Sequence, residues 1–246
     1  RRHYESALGL SSTSAYASGN YTTTNYKLIS SESDVDAAVD SIWADMKAKG
    51  QYIIGLDIEH NTTMTNKQQL GERQANGDSA VLSLAVDEAT YVFRVCRFES
   101  LPGSLSDLLA SDSVAKVGVG IKGDVTNLTR KFRGCHVSNV HEINELAGRK
   151  LGHTGSLASL CLEVLNKQLL KDNEFRLYTD WEADELSPDA VEYAAADANV
   201  SLELYVSLTR QLDISEAILA MYKENFKRLQ PDSDDKPPSM DDGQLL

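Results

Sequence analysis

Two acidic residues at the end of an apolar run are the first group in this sequence that could do chemistry. In QYIIGLDIEH (51–60), Asp57 and Glu59 stand two residues apart in a segment typical of a buried β-strand. Residues two apart in a strand point to the same face, so the two carboxylates would lie side by side and repel each other. A bound cation would relieve this repulsion, and carboxylate oxygens suit Mg²⁺ or Mn²⁺. The alternative is that the strand ends here and water solvates both acids.

A tyrosine and an acid form a second pair near the C-terminal end. In YAAADANVSLELY (193–205), Tyr193 and Asp197 are four residues apart in a predicted helix and therefore share one face. Small side chains that would let this helix approach a sheet closely surround the acid: Ala194, Ala195, Ala196 and Ala198. By itself, an ordinary alanine-rich helix with one core tyrosine and one exposed acid explains the pattern better.

A glycine-rich turn supplies the third candidate. KVGVGIKGDVTNL (116–128) carries Gly118, Gly120 and Gly123 in the spacing G-x-G-x-x-G, which is the fingerprint of a dinucleotide-binding turn. Asp124 follows the third glycine at once, in the first turn of a predicted helix, where the helix dipole favours an acid. The turn therefore either cradles phosphates or brings a carboxylate to the end of a strand.

The dinucleotide hypothesis requires an acid at the end of the next strand, about 20 residues further on. Glu142 has nearly that spacing, but it stands at a predicted helix start, and the glycine turn comes only after three strands. We therefore reject this hypothesis. The sequence also lacks G-x-x-x-x-G-K-[ST], so we expect no nucleotide cofactor.

Composition limits the remaining functions. The net charge of −13 argues against bulk attraction of nucleic acid, although between Lys116 and Arg176 ten basic residues outnumber six acidic ones. No apolar run approaches the ~20 residues of a membrane helix, so no membrane partner is expected. The three cysteines form no C-x-x-C pair, which favours a reducing, intracellular compartment. We expect a nuclear or cytoplasmic location rather than a mitochondrial one.

The order of the predicted elements indicates one α/β domain over 27–230, between a disordered N-terminal segment (1–26) and a disordered acidic tail (231–246). Apolar patterns predict strands over 51–60, 80–86, 89–95 and 114–120, the second and third forming a hairpin. They predict helices after Ser33 up to Gly50, and over 104–111, 124–132, 141–150, 156–166, 188–211 and 214–229.

Taken in order, Asp57-x-Glu59, Asp124 after GVGIKG, and Tyr193-x-x-x-Asp197 make the chain resemble a known family. It resembles the DEDD superfamily of 3′–5′ exonucleases in the tyrosine-containing (DEDDy) branch, which includes RNase D and exonuclease domains like that of the Werner-syndrome helicase. The resemblance runs from about residue 26 to 210. It implies a ribonuclease-H-like fold, a mixed five-stranded sheet flanked by helices.

The resemblance also implies a two-metal mechanism that releases nucleoside 5′-monophosphates from a nucleic acid with a free 3′ end. Asp57 would bridge two Mg²⁺ or Mn²⁺ ions, Glu59 and Asp197 would complete the shell of the first ion, and Asp124 would hold the second. Tyr193 would orient the attacking water. Two ions roughly 4 Å apart can stabilise both the attacking and the leaving oxygen.

Contacts with the nucleic acid are expected from residues near these motifs. Lys122, Lys171 and Arg176 are candidates for binding phosphates, and His60 and Thr126 stand where related enzymes often carry aromatic residues. Fewer aromatic side chains would weaken stacking on terminal bases. DNA and RNA both stay open as substrates. So does the alternative that the chain is a catalytically inert exonuclease-like module that binds nucleic acid or acts as a scaffold.

Overall fold

A mixed six-stranded sheet is the core of the larger of two compact units, Arg1–Leu208; the smaller unit is Thr209–Leu246. The computed structural model describes residues 19–62, 78–169 and 179–229. The strands are β1 (Tyr26–Ile29), β2 (Ile53–His60), β3 (Ser79–Ala85), β4 (Thr90–Phe93), β5 (Ala115–Gly118) and β6 (Val140–Glu142), in the order β1-β4-β3-β2-β5-β6. The pairs β2–β3 and β3–β4 are antiparallel, whereas β1–β4, β2–β5 and β5–β6 are parallel. The predicted α/β class with a mixed sheet is therefore confirmed.

The sheet has six strands, whereas the resemblance implies five and the apolar patterns predict four; the two that the patterns miss are the very short edge strands. β1 has four residues, two of them exposed, and β6 has only three. Such segments are too short to show the alternation that identifies a strand in a sequence. The predicted helix over 141–150 accordingly begins only at Ile143, because 140–142 pairs in parallel with β5.

Helices cover both faces of the sheet. They are α1 (Val35–Lys49), α2 (Gly103–Ala110), α3 (Ile121–Lys131), α4 (Ile143–Leu151), α5 (Leu157–Leu165) and α6 (Pro188–Leu229). The expected break between 211 and 214 is absent from α6, since neither glycine nor proline occurs there to interrupt it. In the described part of the chain, no helix has the length and apolar character needed to cross a membrane.

The predicted apolar stripe of α1 is confirmed. Its five members are all buried: Val35, Ala38, Val39, Ile42 and Met46. The helix ends at Gly50, whose φ of 64° is the left-handed conformation that glycine adopts without strain. The expected cap at Ser33 lies one residue early, because a short 3₁₀ turn precedes the helix and Asp34 occupies the cap position.

Alternate residues of β2 face opposite sides of the sheet. Ile54, Leu56 and Ile58 belong to the main core, which also contains the buried residues of α1, α2 and α3. On the other face, Val81 of β3 packs in a cluster with the first turns of α6, and Ala85 contacts the same helix further along. The strand therefore separates two layers, and the odd-numbered residues of β2 belong to the α6 side.

At Gly55 the backbone of α6 approaches the sheet very closely. A Cβ built on Gly55 would lie 2.0 Å from the carbonyl oxygen of Ala198 and 3.0 Å from the Cβ of Leu202. Backbone therefore meets backbone here, and only glycine fits. The close approach predicted from the alanines of this helix is confirmed.

The packed part of the chain begins before β1. Tyr21 is buried, its hydroxyl donates a hydrogen bond of 2.9 Å to the Glu203 carboxylate, and its backbone N–H donates to the carbonyl of Gln168. Thr23 is buried as well. Both residues belong to the segment for which the composition favours disorder.

Lys116 is a buried cation inside β5. Its side chain is fully buried, and Nζ donates hydrogen bonds to the carbonyl oxygens of Ser111 (2.7 Å) and Val114 (3.0 Å). Burial lowers the pKa of Lys116 from 10.5 to about 8, and Asp112 opposes this shift. One of the ten basic residues counted between 116 and 176 is thus structural and contributes nothing to a basic surface.

We expect Gly55→Ala to lower the free energy of unfolding by about 3 kcal/mol, because the added methyl overlaps a backbone carbonyl that cannot move independently. Urea or thermal unfolding measures this loss. Gly148→Ala is the matched control: Gly148 lies inside α4 with nothing within 4 Å of its Cβ position, so this change should stabilise by about 0.5–1 kcal/mol. Equal effects of the two substitutions would contradict the close approach.

We expect the stability of the wild type relative to Lys116→Met to rise with pH. The folded pKa of Lys116 is lower than its unfolded value, so between about 8 and 10.5 the unfolded chain binds a proton that the folded chain has released. The difference in free energy of unfolding between the two proteins should therefore shift in favour of the wild type across this window. A difference that is constant with pH would show that Lys116 is solvated.

Candidate active site

Three carboxylates from two elements meet on the α6 side of the sheet. Asp57 and Glu59 of β2 and Asp197 of α6 each offer an oxygen, and these oxygens all lie within 4.8 Å of one another. Glu59 and Asp197 are 7% and 5% exposed, and Asp57 is half-buried. Because side chains alternate along β2, Asp57 and Glu59 point to the same face as Gly55. The contact of Gly55 with Ala198 places the neighbouring Asp197 beside these two acids.

The donor set of this cluster fits a divalent cation. Within the described residues, the cluster consists of carboxylates alone, and oxygen ligands are those that Mg²⁺ and Mn²⁺ prefer. Burial makes the mutual repulsion of the carboxylates stronger than it would be in water. A cation of charge +2 would remove most of this repulsion.

Tyr193 lies one helical turn before Asp197 on the same face of α6. It is 8% exposed and belongs to the apolar cluster between β3 and α6. Its ring lies 6.3 Å from that of Trp181, tilted by 39°. Trp181 is fully buried. The tyrosine is thus held by a rigid aromatic neighbour beside the carboxylate cluster.

Asn61 ties the end of β2 to the segment that carries Trp181. Its Nδ2 donates a hydrogen bond of 2.9 Å to Asp180, and its Oδ1 accepts one of 2.7 Å from the backbone N–H of Trp181. Asn61 follows Glu59 by two residues. The strand that carries two of the acids therefore also positions the neighbour of Tyr193.

Arg94 holds the same segment from the end of β4. It is 2% exposed, and its guanidinium donates to the backbone carbonyls of Trp181, Ala183 and Asp184. Sequence reasoning missed Arg94 and Asn61. The only signal was an arginine directly after the apolar strand ATYVF, which is equally typical of a strand that ends in solvent.

Asp124 lies in the first turn of α3, as predicted, and is half-buried. Burial raises the pKa of its carboxyl to about 7, and the negative charge of Glu142 adds to the shift. In the described part of the chain, the cluster of mutually close carboxylates does not include Asp124. The structure thus brings together three of the four predicted acids and places the fourth on a separate element.

Glu142 fixes the turn that precedes Asp124. Its carboxylate accepts hydrogen bonds from the backbone N–H of Gly120 (2.9 and 3.1 Å to the two oxygens) and from that of Asn144 (3.2 Å), so that it also caps α4. Gly120 has a φ of 79° and begins α3. Sequence reasoning placed Glu142 at a helix start; it is also the last residue of β6, a strand end.

These contacts explain why the glycine spacing does not describe a phosphate cradle. The Gly120 N–H, which would face a phosphate, donates to the Glu142 carboxylate. A Cβ at Gly118 would lie 2.7 Å from the Leu56 carbonyl, so this glycine serves the pairing of β5 with β2. Gly123 has nothing within 4 Å of its Cβ position and makes no close helix–strand contact of the kind a dinucleotide fold needs.

The predicted nucleic-acid contacts are spread over several elements. Lys122 is exposed and forms an ion pair of 2.6 Å with Glu145, which raises its pKa. The Thr126 hydroxyl donates to the carbonyl of Lys122, within its own helix. His60 ends β2 and is half-buried. The other two residues, Lys171 and Arg176, lie outside the described residues.

Known proteins share this sequence pattern and fold. A model of the 3′–5′ exonuclease domain matches residues 33–213. The bifunctional 3′–5′ exonuclease/ATP-dependent helicase WRN of Mus musculus is 38% identical over 132 residues, which are 52% of this chain and 9% of that protein. A 3′–5′ exonuclease of Arabidopsis thaliana is 33% identical over 172 residues, 69% of this chain and 56% of that protein. The chain thus spans less than two thirds of the length of either relative.

The fold has solved counterparts as well. The EXO domain of Nibbler from Aedes aegypti superposes with a TM-score of 0.63 at 20% identity, over 78% of this chain and 93% of that one. The family model extends over well more than half of the sequence. The chain therefore belongs to the DEDD family of 3′–5′ exonucleases.

Proposed function

We propose that the protein is a divalent-metal-dependent 3′–5′ exonuclease that hydrolyses phosphodiester bonds from the 3′ end of a nucleic acid and releases nucleoside 5′-monophosphates. The observation that carries this proposal is the convergence of Asp57, Glu59 and Asp197, with oxygens within 4.8 Å, one helical turn from Tyr193. Membership of the family supports the reaction class.

The carboxylate cluster would hold the metal. Asp57, Glu59 and Asp197 would bind the first Mg²⁺ or Mn²⁺ ion, and Asp124 would bind a second ion together with Asp57. When bound, the ions supply Lewis-acid stabilisation of the attacking and leaving oxygens in an in-line displacement. They also neutralise a site that would otherwise repel a phosphodiester.

Tyr193 would orient the water that attacks the terminal phosphorus. Its phenol O–H can donate to or accept from a water while its ring stays fixed against Trp181. The residue is 8% exposed and packs in the apolar cluster, so we assign its part in the reaction to the hydroxyl. The phenol would position the water, which gives up a proton as its oxygen bonds to phosphorus, while the leaving 3′ oxygen takes up a proton from solvent as its bond to phosphorus breaks.

The substrate we propose is a polynucleotide with a free 3′ end, and both DNA and RNA satisfy this chemistry. The relatives named above are called 3′–5′ exonucleases, one of them joined to a helicase, which supports a nucleic-acid substrate without choosing its sugar. Digestion of matched DNA, RNA and mixed duplexes in parallel distinguishes the two.

An inert exonuclease-like binding module is the second candidate. It is favoured by the net charge of −13 and by His60 and Thr126, which offer little aromatic surface for a terminal base. Tight binding of a 3′-exposed oligonucleotide without cleavage in Mg²⁺, Mn²⁺ or any other divalent metal would support this candidate and contradict the enzyme.

We expect Asp57→Asn and Asp124→Asn each to lower kcat by about a thousandfold or more, because each loses a ligand charge worth several kcal/mol in the transition state. Tyr193→Phe should keep residual activity, about a hundredfold below wild type, because it loses only the orienting hydroxyl. The assay is metal-dependent shortening of a 5′-labelled oligonucleotide.

Asp107→Asn is the matched control for these substitutions, since Asp107 is an exposed acid of α2. It should leave both the rate and the midpoint of thermal unfolding unchanged. Full activity of Asp124→Asn would overturn the assignment of this residue to the second ion, and full activity of Asp57→Asn would overturn the proposed function.

A further inference from the structure

A polar cavity lies at the far end of α3 from Asp124. Its volume is about 310 Å³, and it lies between the last turn of α3 with the following loop and the segment leading into α2. Lys131 and Arg133 line one side, and the hydroxyl residues Ser100 and Ser106 line the other. Glu99 is the one acidic residue in this lining. We call these five residues the α3 pocket.

The two cations of the α3 pocket differ from several others in this acidic protein. Ion pairs occupy several exposed cations: Lys49, Arg97, Lys122, Arg130 and Lys167. In residues 19–62, 78–169 and 179–229, by contrast, neither Lys131 nor Arg133 has a carboxylate partner within ion-pair distance. Lys131 Nζ lies 5.5 Å from the ring centre of Phe132, a contact that holds the ammonium without neutralising it.

Helix geometry relates the pocket to the candidate active site. Lys131 follows Asp124 by seven residues in α3, so the two side chains point within about 20° of the same direction. The rise between them is about 10 Å, which is the length of about three stacked nucleotides. At the same end of α3, Arg130 forms an ion pair with Asp78. Asp78 directly precedes β3, whose first residue, Ser79, pairs with His60 of β2. The pocket therefore lies about 10 Å along α3 from Asp124, the proposed ligand of the second ion.

We propose that the α3 pocket binds a backbone phosphate of the substrate strand, about three or more nucleotides upstream of the 3′ end. This inference rests on the proposed function and extends it from the reaction to the binding of the substrate strand. Lys131 and Arg133 supply the positive charge, and the hydroxyls of Ser100 and Ser106 can donate hydrogen bonds to phosphate oxygens. Glu99 opposes the phosphate and limits the affinity.

Hydrolysis of a dinucleotide and of a dodecamer by the same variants tests the proposal. A dinucleotide is too short to reach the pocket. We expect Lys131→Ala/Arg133→Ala to raise KM for the dodecamer about tenfold with kcat unchanged, and to leave kcat/KM for the dinucleotide unchanged. The dependence of log KM on log salt for the dodecamer should become shallower by about 0.7 to 1.4, the loss of one or two phosphate contacts on a single strand.

Two further variants sharpen the test. Glu99→Gln should lower KM for the dodecamer about two- to threefold, because it removes the opposing charge from the pocket without shortening a side chain. Lys27→Ala/Lys47→Ala is the matched control: both lysines are exposed, and Lys27 lies over the Tyr91 ring much as Lys131 lies over Phe132. It should leave KM unchanged for both substrates.

The outcomes separate this proposal from the proposed function. If the wild type cleaves both substrates and the α3-pocket variants show wild-type KM values for the dodecamer, the pocket is not a phosphate site although the enzyme assignment holds. An equal loss on dinucleotide and dodecamer overturns the upstream position. An unchanged or raised KM of Glu99→Gln for the dodecamer overturns the assignment of the pocket as a phosphate site. If the wild type cleaves neither substrate in any divalent metal, the proposed function itself fails.

Discussion

The contact between Gly55 of β2 and Ala198 of α6 is the constraint on which the candidate site depends. The carbonyl oxygen of Ala198 lies where the Cβ of any larger residue at position 55 would be. The backbones of the helix and the strand are therefore in direct contact here. Because Ala198 follows Asp197 directly, the same contact sets the depth at which that carboxylate meets Asp57 and Glu59. A larger residue at position 55 would move α6 outward and separate the acid of the helix from those of the strand.

Two buried carboxylates and a half-buried one, close together in a protein of net charge −13, create a repulsion that the chain alone does not remove. Divalent ions would remove it within the site. Outside the site, several cations are not available to a substrate: Lys116 is buried in a strand, and Lys122 is paired with Glu145. A polyanionic substrate would therefore depend on cations without an ion-pair partner, and within the described residues the end of α3 has two of them, Lys131 and Arg133.

Hydrogen bonds outside the carboxylate cluster support the candidate site. Arg94 and Asn61 fix the segment around Trp181, whose ring then limits the movement of Tyr193. Glu142 fixes the turn at Gly120 from which α3 starts. These contacts tolerate little displacement, since each lost hydrogen bond would leave a polar group unsatisfied. The candidate site thus rests on polar contacts that lie in loops and at strand ends.

The sequence by itself determined the local geometry. A period of two in β2 put Asp57 and Glu59 on one face, a spacing of four in α6 put Tyr193 beside Asp197, and the order of these motifs indicated the family. Periodicity of this kind is a property of neighbouring residues, so one strand or one helix suffices to reveal it.

Only the tertiary structure decided which partners distant residues meet. The two edge strands are too short to carry a period, and the burial of Lys116 and Arg94 depends on carbonyls two to ninety residues away. From the sequence, Glu142 is predicted only as a helix start. The structure shows that it also accepts a hydrogen bond from the N–H of Gly120, which lies 22 residues earlier in the chain. The glycine spacing alone permitted a phosphate cradle; the carboxylate at that N–H excludes it, because one backbone donor cannot serve both.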